Sequence, residues 1–119
     1  MENLYRGLVI LCTFLHLCFL ALEMFFWTKP LGLKVFDLTP AMAEQTKTLA
    51  FNQGLYNGFL AAGLIWGFVA GEYEIHLFFL VCMVIAGIVG ALTASPSIFF
   101  VQALPAILAL SVLLLMTLA

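Results

Sequence analysis

Long apolar runs separated by short polar stretches set the pattern of this chain. Gly7 to Leu22 is apolar apart from Thr13 and His16, and the run carries on past Glu23 through Met24, Phe25, Phe26 and Trp27 before Lys29-Pro30 stops it. A hydrocarbon core about 30 Å thick takes roughly 20 residues of helix, so this stretch is read as a first membrane crossing. A signal peptide would have a shorter core and a small-x-small cleavage site after it; neither is found, and the first helix is expected to be retained. Thr28 to Lys47 is the longest hydrophilic segment. Within it, Thr39-Pro40 sets a good N-cap before a residue favoured at the first helical position, and Glu44 follows where the helix dipole favours an anion. A helix from Pro40 to Ala70 would be roughly 46 Å long, about 16 Å more than the hydrocarbon needs, so it is expected to start outside the lipid.

Gly71-Glu72-Tyr73-Glu74 then forms a tight polar turn before the third run, and Ser95-Pro96-Ser97 forms another before a Leu-rich fourth run. The predicted helices are 4–27, 40–70, 75–94 and 98–118. Short links make neighbours antiparallel. The expected fold is therefore all-α, an integral membrane four-transmembrane-helix antiparallel bundle forming a single domain over residues 1–119, with both termini on one side. Pro105 lacks the N–H that would bond to the carbonyl of Val101 and is expected to kink the fourth helix.

Composition agrees with this pattern. The chain is 66% apolar and 8% charged, against about 45–50% and about 25% in soluble domains, which excludes a water-soluble globule. A net charge of −2 leaves no basic patch for nucleic acid. Cys12, Cys18 and Cys82 lie in apolar runs without CxxC spacing and read as packing residues. Lys29, Lys34 and Lys47 on the side of the first connection, against Arg6 on the other, favour a cytoplasmic long loop with the termini opposite. Gly63, Gly67 and Gly71, and likewise Ala86, Gly90 and Ala94, recur every fourth residue and predict seams of close helix approach.

Against this background the buried polar residues stand out, because a charge at the centre of a membrane helix costs about 2.5–3.5 kcal/mol on insertion scales. On a 3.6-residue period Cys12, His16, Glu23 and Trp27 share one stripe, with His16 and Glu23 about 10.5 Å apart along the axis, too far for one metal ion. Asn52, Gln53, Tyr56 and Asn57 form a facing arc on the second helix, and Gln102 and Thr93 are expected at the depth of Glu23. Glu23, His16, Asn52, Gln53, Tyr56, Asn57 and Gln102 are therefore the candidate ligand-binding residues, with Glu23 a candidate for exchanging its proton as a ligand binds. The bland reading is that the amides only hold helices in register. For His16 the bland reading is a bond to a backbone carbonyl, with proton relay and an axial haem or chlorin ligand as lesser alternatives. His76, next to Glu72 and Glu74, reads as an interfacial residue.

The stretch Glu23-Met24-Phe25-x-Trp27, then Asn52-Gln53-Gly54-Leu55-Tyr56-Asn57-Gly58-Phe59-Leu60-Ala61-Ala62-Gly63 and Trp66-Gly67, resembles a family of small bacterial membrane proteins catalogued as domain of unknown function 1304. The resemblance implies a four-helix protein of the bacterial inner membrane and brings no catalytic residue with it. Three roles follow from the residues. The first is binding or moving a small polar or amphipathic ligand in the Glu/His/Asn/Gln pocket. The second is an accessory subunit of a larger membrane complex, and the third a lipid-modifying enzyme using Glu23 or His16. No HExxH, GxSxG, P-loop or dinucleotide fingerprint is found, which weighs against an enzyme. The expected partners are membrane lipids and either further copies of the chain or a larger complex; the sequence leaves the cofactor unknown, His16 as an axial ligand being the one opening for it.

Overall fold

A computed structural model describes residues 1–119, and the chain is all-helical without strands. Its elements are α1 (Glu2–Met24), α2 (Pro30–Val35), α3 (Pro40–Ala70), α4 (Tyr73–Thr93), a π-helical turn (Phe99–Ala103) and α5 (Leu104–Leu118). Three helices are long and apolar enough to cross a membrane: Glu2–Met24, Tyr73–Thr93 and the continuous Phe99–Leu118. They mark the chain as a membrane protein. α3 is longer, but its first turns carry Glu44 and Lys47, and Asn52, Gln53 and Asn57 interrupt its later, more apolar part. Large apolar side chains such as Leu49, Val69 and Leu92 face outward. Only 22% of the most apolar 18-residue stretch of α1 and of α4 is buried, and 33% of the corresponding stretch of Phe99–Leu118. A surface of that kind is suited to lipid chains and would be untenable in water.

Local chemistry accounts for the helix ends. Arg6 Nε donates to Glu2 Oε1 at 2.7 Å across one turn, with the acid on the N-terminal side where the dipole favours it. Pro30 opens α2, a helix absent from the sequence reading, and Asp37, at φ 52°, closes the turn after it. Thr39 Oγ1 accepts from the Met42 N–H at 3.2 Å, capping α3 ahead of Pro40. Gly71, at φ 71°, ends α3, with the N–H groups of Gly71 and Glu72 both directed at the Gly67 carbonyl. It is therefore a cap, and only Gly63 and Gly67 of that glycine stripe act as a seam. At Pro105, the backbone widens to a π-helical turn just ahead of the proline, with the Leu104 N–H bonded to the Phe99 carbonyl, five residues back.

The chain divides into two compact units, residues 16–59 and residues 1–15 with 60–119. In the larger unit, a core of Tyr5, Val9, Cys12, Leu64, Leu80, Met83, Ala106, Ala109, Val112 and Leu113 is sealed by small-residue contacts. A Cβ on Gly87 would meet the Ala103 N at 2.5 Å, and one on Gly63 would strike the Phe79 ring. Backbones approach closely there because dispersion between well-fitted helices, rather than a hydrophobic force, holds them together in lipid. In the smaller unit, the rest of α1 and the first turns of α3 pack by the same means. A Cβ on Gly54 would meet Glu23 Cβ at 3.1 Å and the Leu20 carbonyl oxygen at 3.2 Å.

Candidate functional site

The close approach at Gly54 and Gly58 lets a buried amide reach a carboxyl group. Buried positions on α3 recur at Ala50, Gly54, Asn57 and Ala61, a spacing of four, three and four that keeps one stripe against a neighbouring helix. Asn57 is the single large polar residue on that stripe and is 5% exposed. Its Nδ2 donates to Glu23 Oε1 at 2.6 Å. No Lys, Arg or His forms an ion pair with Glu23; the ion pairs of the chain are Arg6 with Glu2 and Lys47 with Glu44. The half-buried Glu23 carboxyl group also borders a cavity of about 350 Å³ lined by Met24, Phe25, Trp27, Thr28, Lys47, Thr48 and Phe51. That volume is at the lower end for small-molecule sites, about 300–1,000 Å³. One wall is braced at Trp27, whose Nε1 donates to Thr46 Oγ1 at 3.0 Å and whose ring tilts against Phe36 at 4.8 Å.

The other expected site residues are placed as follows. His16 is 1% exposed and meets Phe19 edge-to-face at 5.6 Å. Asn52 turns back on its own helix, donating to the Thr48 carbonyl at 2.9 Å, and Gln53 is exposed. Tyr56 is 54% exposed with its ring beside Phe59. Gln102 is buried within the π-helical turn of the other unit. Thr93 Oγ1 donates to the Val89 carbonyl on its own helix. Of the candidate set, Glu23 and Asn57 are thus brought into direct contact, and of the two Glu23 borders the cavity, whose wall also takes Lys47, Thr48, Phe51 and Thr28, none of them in the candidate set. No three His, Cys, Asp or Glu side chains gather closely enough to hold a metal ion.

A second polar set lies in the larger unit. His76 is 3% exposed, because the glycine at position 67 leaves room for its ring: a Cβ there would fall on the imidazole. Its Nε2 is 3.0 Å from the Leu64 carbonyl and its Nδ1 2.7 Å from the Tyr5 hydroxyl. A carbonyl oxygen only accepts, so Nε2 carries the proton and Nδ1 accepts from Tyr5. Phe68 covers the ring edge-to-face at 4.8 Å. Nearby, the Tyr73 hydroxyl donates to Glu2 Oε2 at 2.9 Å. The cavity there is only about 100 Å³. The signal for this set was present in α1, where the stripe that includes Cys12 and His16 begins at Tyr5 and Val9.

A family model described as "Protein of unknown function (DUF1304)" matches residues 10–114. The chain is 31% identical over 108 residues to the uncharacterized protein YpaA of Lactococcus lactis subsp. lactis, a match covering 87% of this chain and 89% of that protein. No solved structure matches.

Proposed function

The chain belongs to the DUF1304 family, and we propose that it binds or moves a small amphipathic ligand at the cavity bordered by Glu23, whose carboxyl group Asn57 holds. One observation carries this reading: a carboxyl group with a single amide donor at 2.6 Å and no ion-pair partner borders a cavity of about 350 Å³. An ionisable group within a membrane helix is expensive and by default marks a functional site. In this reading the chain forms a four-helix antiparallel bundle in the bacterial inner membrane, with the more apolar part of α3 as the fourth crossing, surrounded by lipid or by further copies. The long first connection, carrying Lys29, Lys34 and Lys47, faces the cytoplasm and both termini lie opposite. His16, buried in the same unit but outside the cavity wall, is a packing residue in this reading.

Native mass spectrometry from lipid nanodiscs tests the proposal. The expected result is a small-molecule adduct on the wild-type chain that is lost, or weakened roughly tenfold, in Glu23→Gln. A wild-type chain with no adduct beyond bulk lipid, or a Glu23→Gln chain that keeps the same adduct at the same occupancy, overturns it.

A further inference from the structure

The cavity's charge and lining specify more than a polar ligand. Its charged side chains are Glu23 and Lys47, and they are not equivalent. The Lys47 ammonium is already paired with the Glu44 carboxylate one turn earlier on α3. Glu23 has only the neutral Asn57 amide. An amide fills one of the lone-pair sites of a carboxylate and leaves the others open, and it brings no positive charge. A buried carboxylate without a counter-charge is costly, and a bound cation removes that cost. The rest of the wall suits such a guest: Phe25, Trp27 and Phe51 bring aromatic rings, whose faces attract ammonium groups, and Met24 brings a deformable thioether. Thr28 and Thr48 supply hydroxyl oxygens, which accept as readily as they donate.

We infer that the cavity takes an organic ammonium cation with an apolar group, the charge set against Glu23 and the aromatic rings of Phe25, Trp27 and Phe51. This rests on the ligand-binding reading above and gives it a substrate class. The ammonium can belong to a lipid headgroup such as phosphatidylethanolamine or to a free amphiphilic amine, since both offer the same cation on an apolar body.

Three probes of one shape separate the charge from the fit: phenyltrimethylammonium, its neutral isostere tert-butylbenzene, and benzenesulfonate. Each is titrated calorimetrically into the full-length chain in phosphatidylglycerol nanodiscs, with empty nanodiscs subtracted. The ammonium is expected to bind saturably and roughly tenfold more tightly than the neutral isostere. Glu23→Gln, whose amide oxygen still accepts from Asn57, should abolish that preference, and Phe51→Leu should weaken ammonium binding about threefold while hardly altering the neutral probe. Both variants are compared with wild type by thermal unfolding so that a folding defect is recognised. Nanodiscs containing phosphatidylethanolamine separate the two sources: competition with the probe identifies the headgroup, and unchanged probe binding identifies a free amine. If tert-butylbenzene or benzenesulfonate binds as tightly as the ammonium, the cation inference falls while the pocket stands. If no probe binds but the wild-type chain keeps its Glu23-dependent adduct in the mass spectrometer, the inference again falls alone. Loss of both results removes the inference and the functional reading together.

Discussion

Residues 16–59 and the unit built from residues 1–15 and 60–119 each set a polar side chain of α1 against a polar group of another helix, and they finish the arrangement differently. In the larger unit, the His76 ring uses both nitrogens, one on the Leu64 carbonyl at 3.0 Å and one on the Tyr5 hydroxyl at 2.7 Å, beside a cavity of about 100 Å³. In the smaller unit, Glu23 receives one amide hydrogen at 2.6 Å and faces about 350 Å³ of open cavity. Both are polar groups in an apolar setting, His76 buried and Glu23 half-buried, but burial does not say what either can still bind. What separates them is unused bonding capacity. Neutral imidazole has one donor and one acceptor, and here both are satisfied; a carboxylate has about four acceptor sites, and the chain supplies a donor for one. A closed polar set acts as a fastening between helices, whereas an open one next to a cavity is equipped to receive something else.

Substitutions can break this contrast, and the largest effect should come from the closed set. Gly67→Val would drive a side chain into the His76 imidazole and is expected to cost about 3 kcal/mol in detergent unfolding, since overpacking and a displaced hydrogen-bonded ring add together. A variant as stable as wild type would show that the set is not closed. Tyr5→Phe leaves Nδ1 of a buried imidazole without its donor and should cost about 1–2 kcal/mol. Combined with His76→Leu it should show non-additivity of about 1 kcal/mol, the coupling expected of side chains in one hydrogen-bonded set. On the open side, Asn57→Ala should cost about 1 kcal/mol of stability, in keeping with modest interhelical hydrogen bonds in membranes, and should also weaken ligand retention. The smallest effect on stability is expected for Glu23→Gln, within about 0.5 kcal/mol, because the Gln oxygen can still accept from Asn57. If Glu23→Gln proves as destabilising as Tyr5→Phe, the two sets are both fastenings and the contrast fails.

Particular residues show how far the polar pattern could be followed along the chain. Glu23 and Asn57 were identifiable because each interrupts an apolar helix on an inward stripe, and helical period alone brings such residues to a common face. Asn52 and Tyr56, five residues and one residue before Asn57, share its arc by helical period, yet Asn52 bonds to the carbonyl of Thr48 and Tyr56 faces outward beside Phe59. An arc of about 140° is wider than the strip that one neighbouring helix covers, so period alone cannot say which half of it is buried. Lys47, Thr48 and Phe51 escaped notice for the opposite reason: they sit on the α3 turns that carry the hydrophilic segment into the apolar one, and they line the cavity only because Gly54 and Gly58 admit α1 so closely. His76 read as interfacial because Glu72 and Glu74 precede it, and it is buried because Gly67 leaves the volume its ring occupies.

The sequence by itself determined that this is a helical membrane protein, since 66% apolar residues in runs of membrane length admit no other solvent. It also determined where helices begin and end at Thr39-Pro40 and at Gly71, because a side-chain cap and a left-handed glycine act within a few residues of themselves. Tertiary structure alone decided which polar groups meet. Whether a side chain is fastened, as His76 is, or left with bonding capacity beside a cavity, as Glu23 is, depends on the spacing of two helix backbones distant in sequence. That spacing is set by small residues at the points of contact; their recurrence marks a seam, as at Gly63 and Gly67, but does not say which side chain of the other helix meets it.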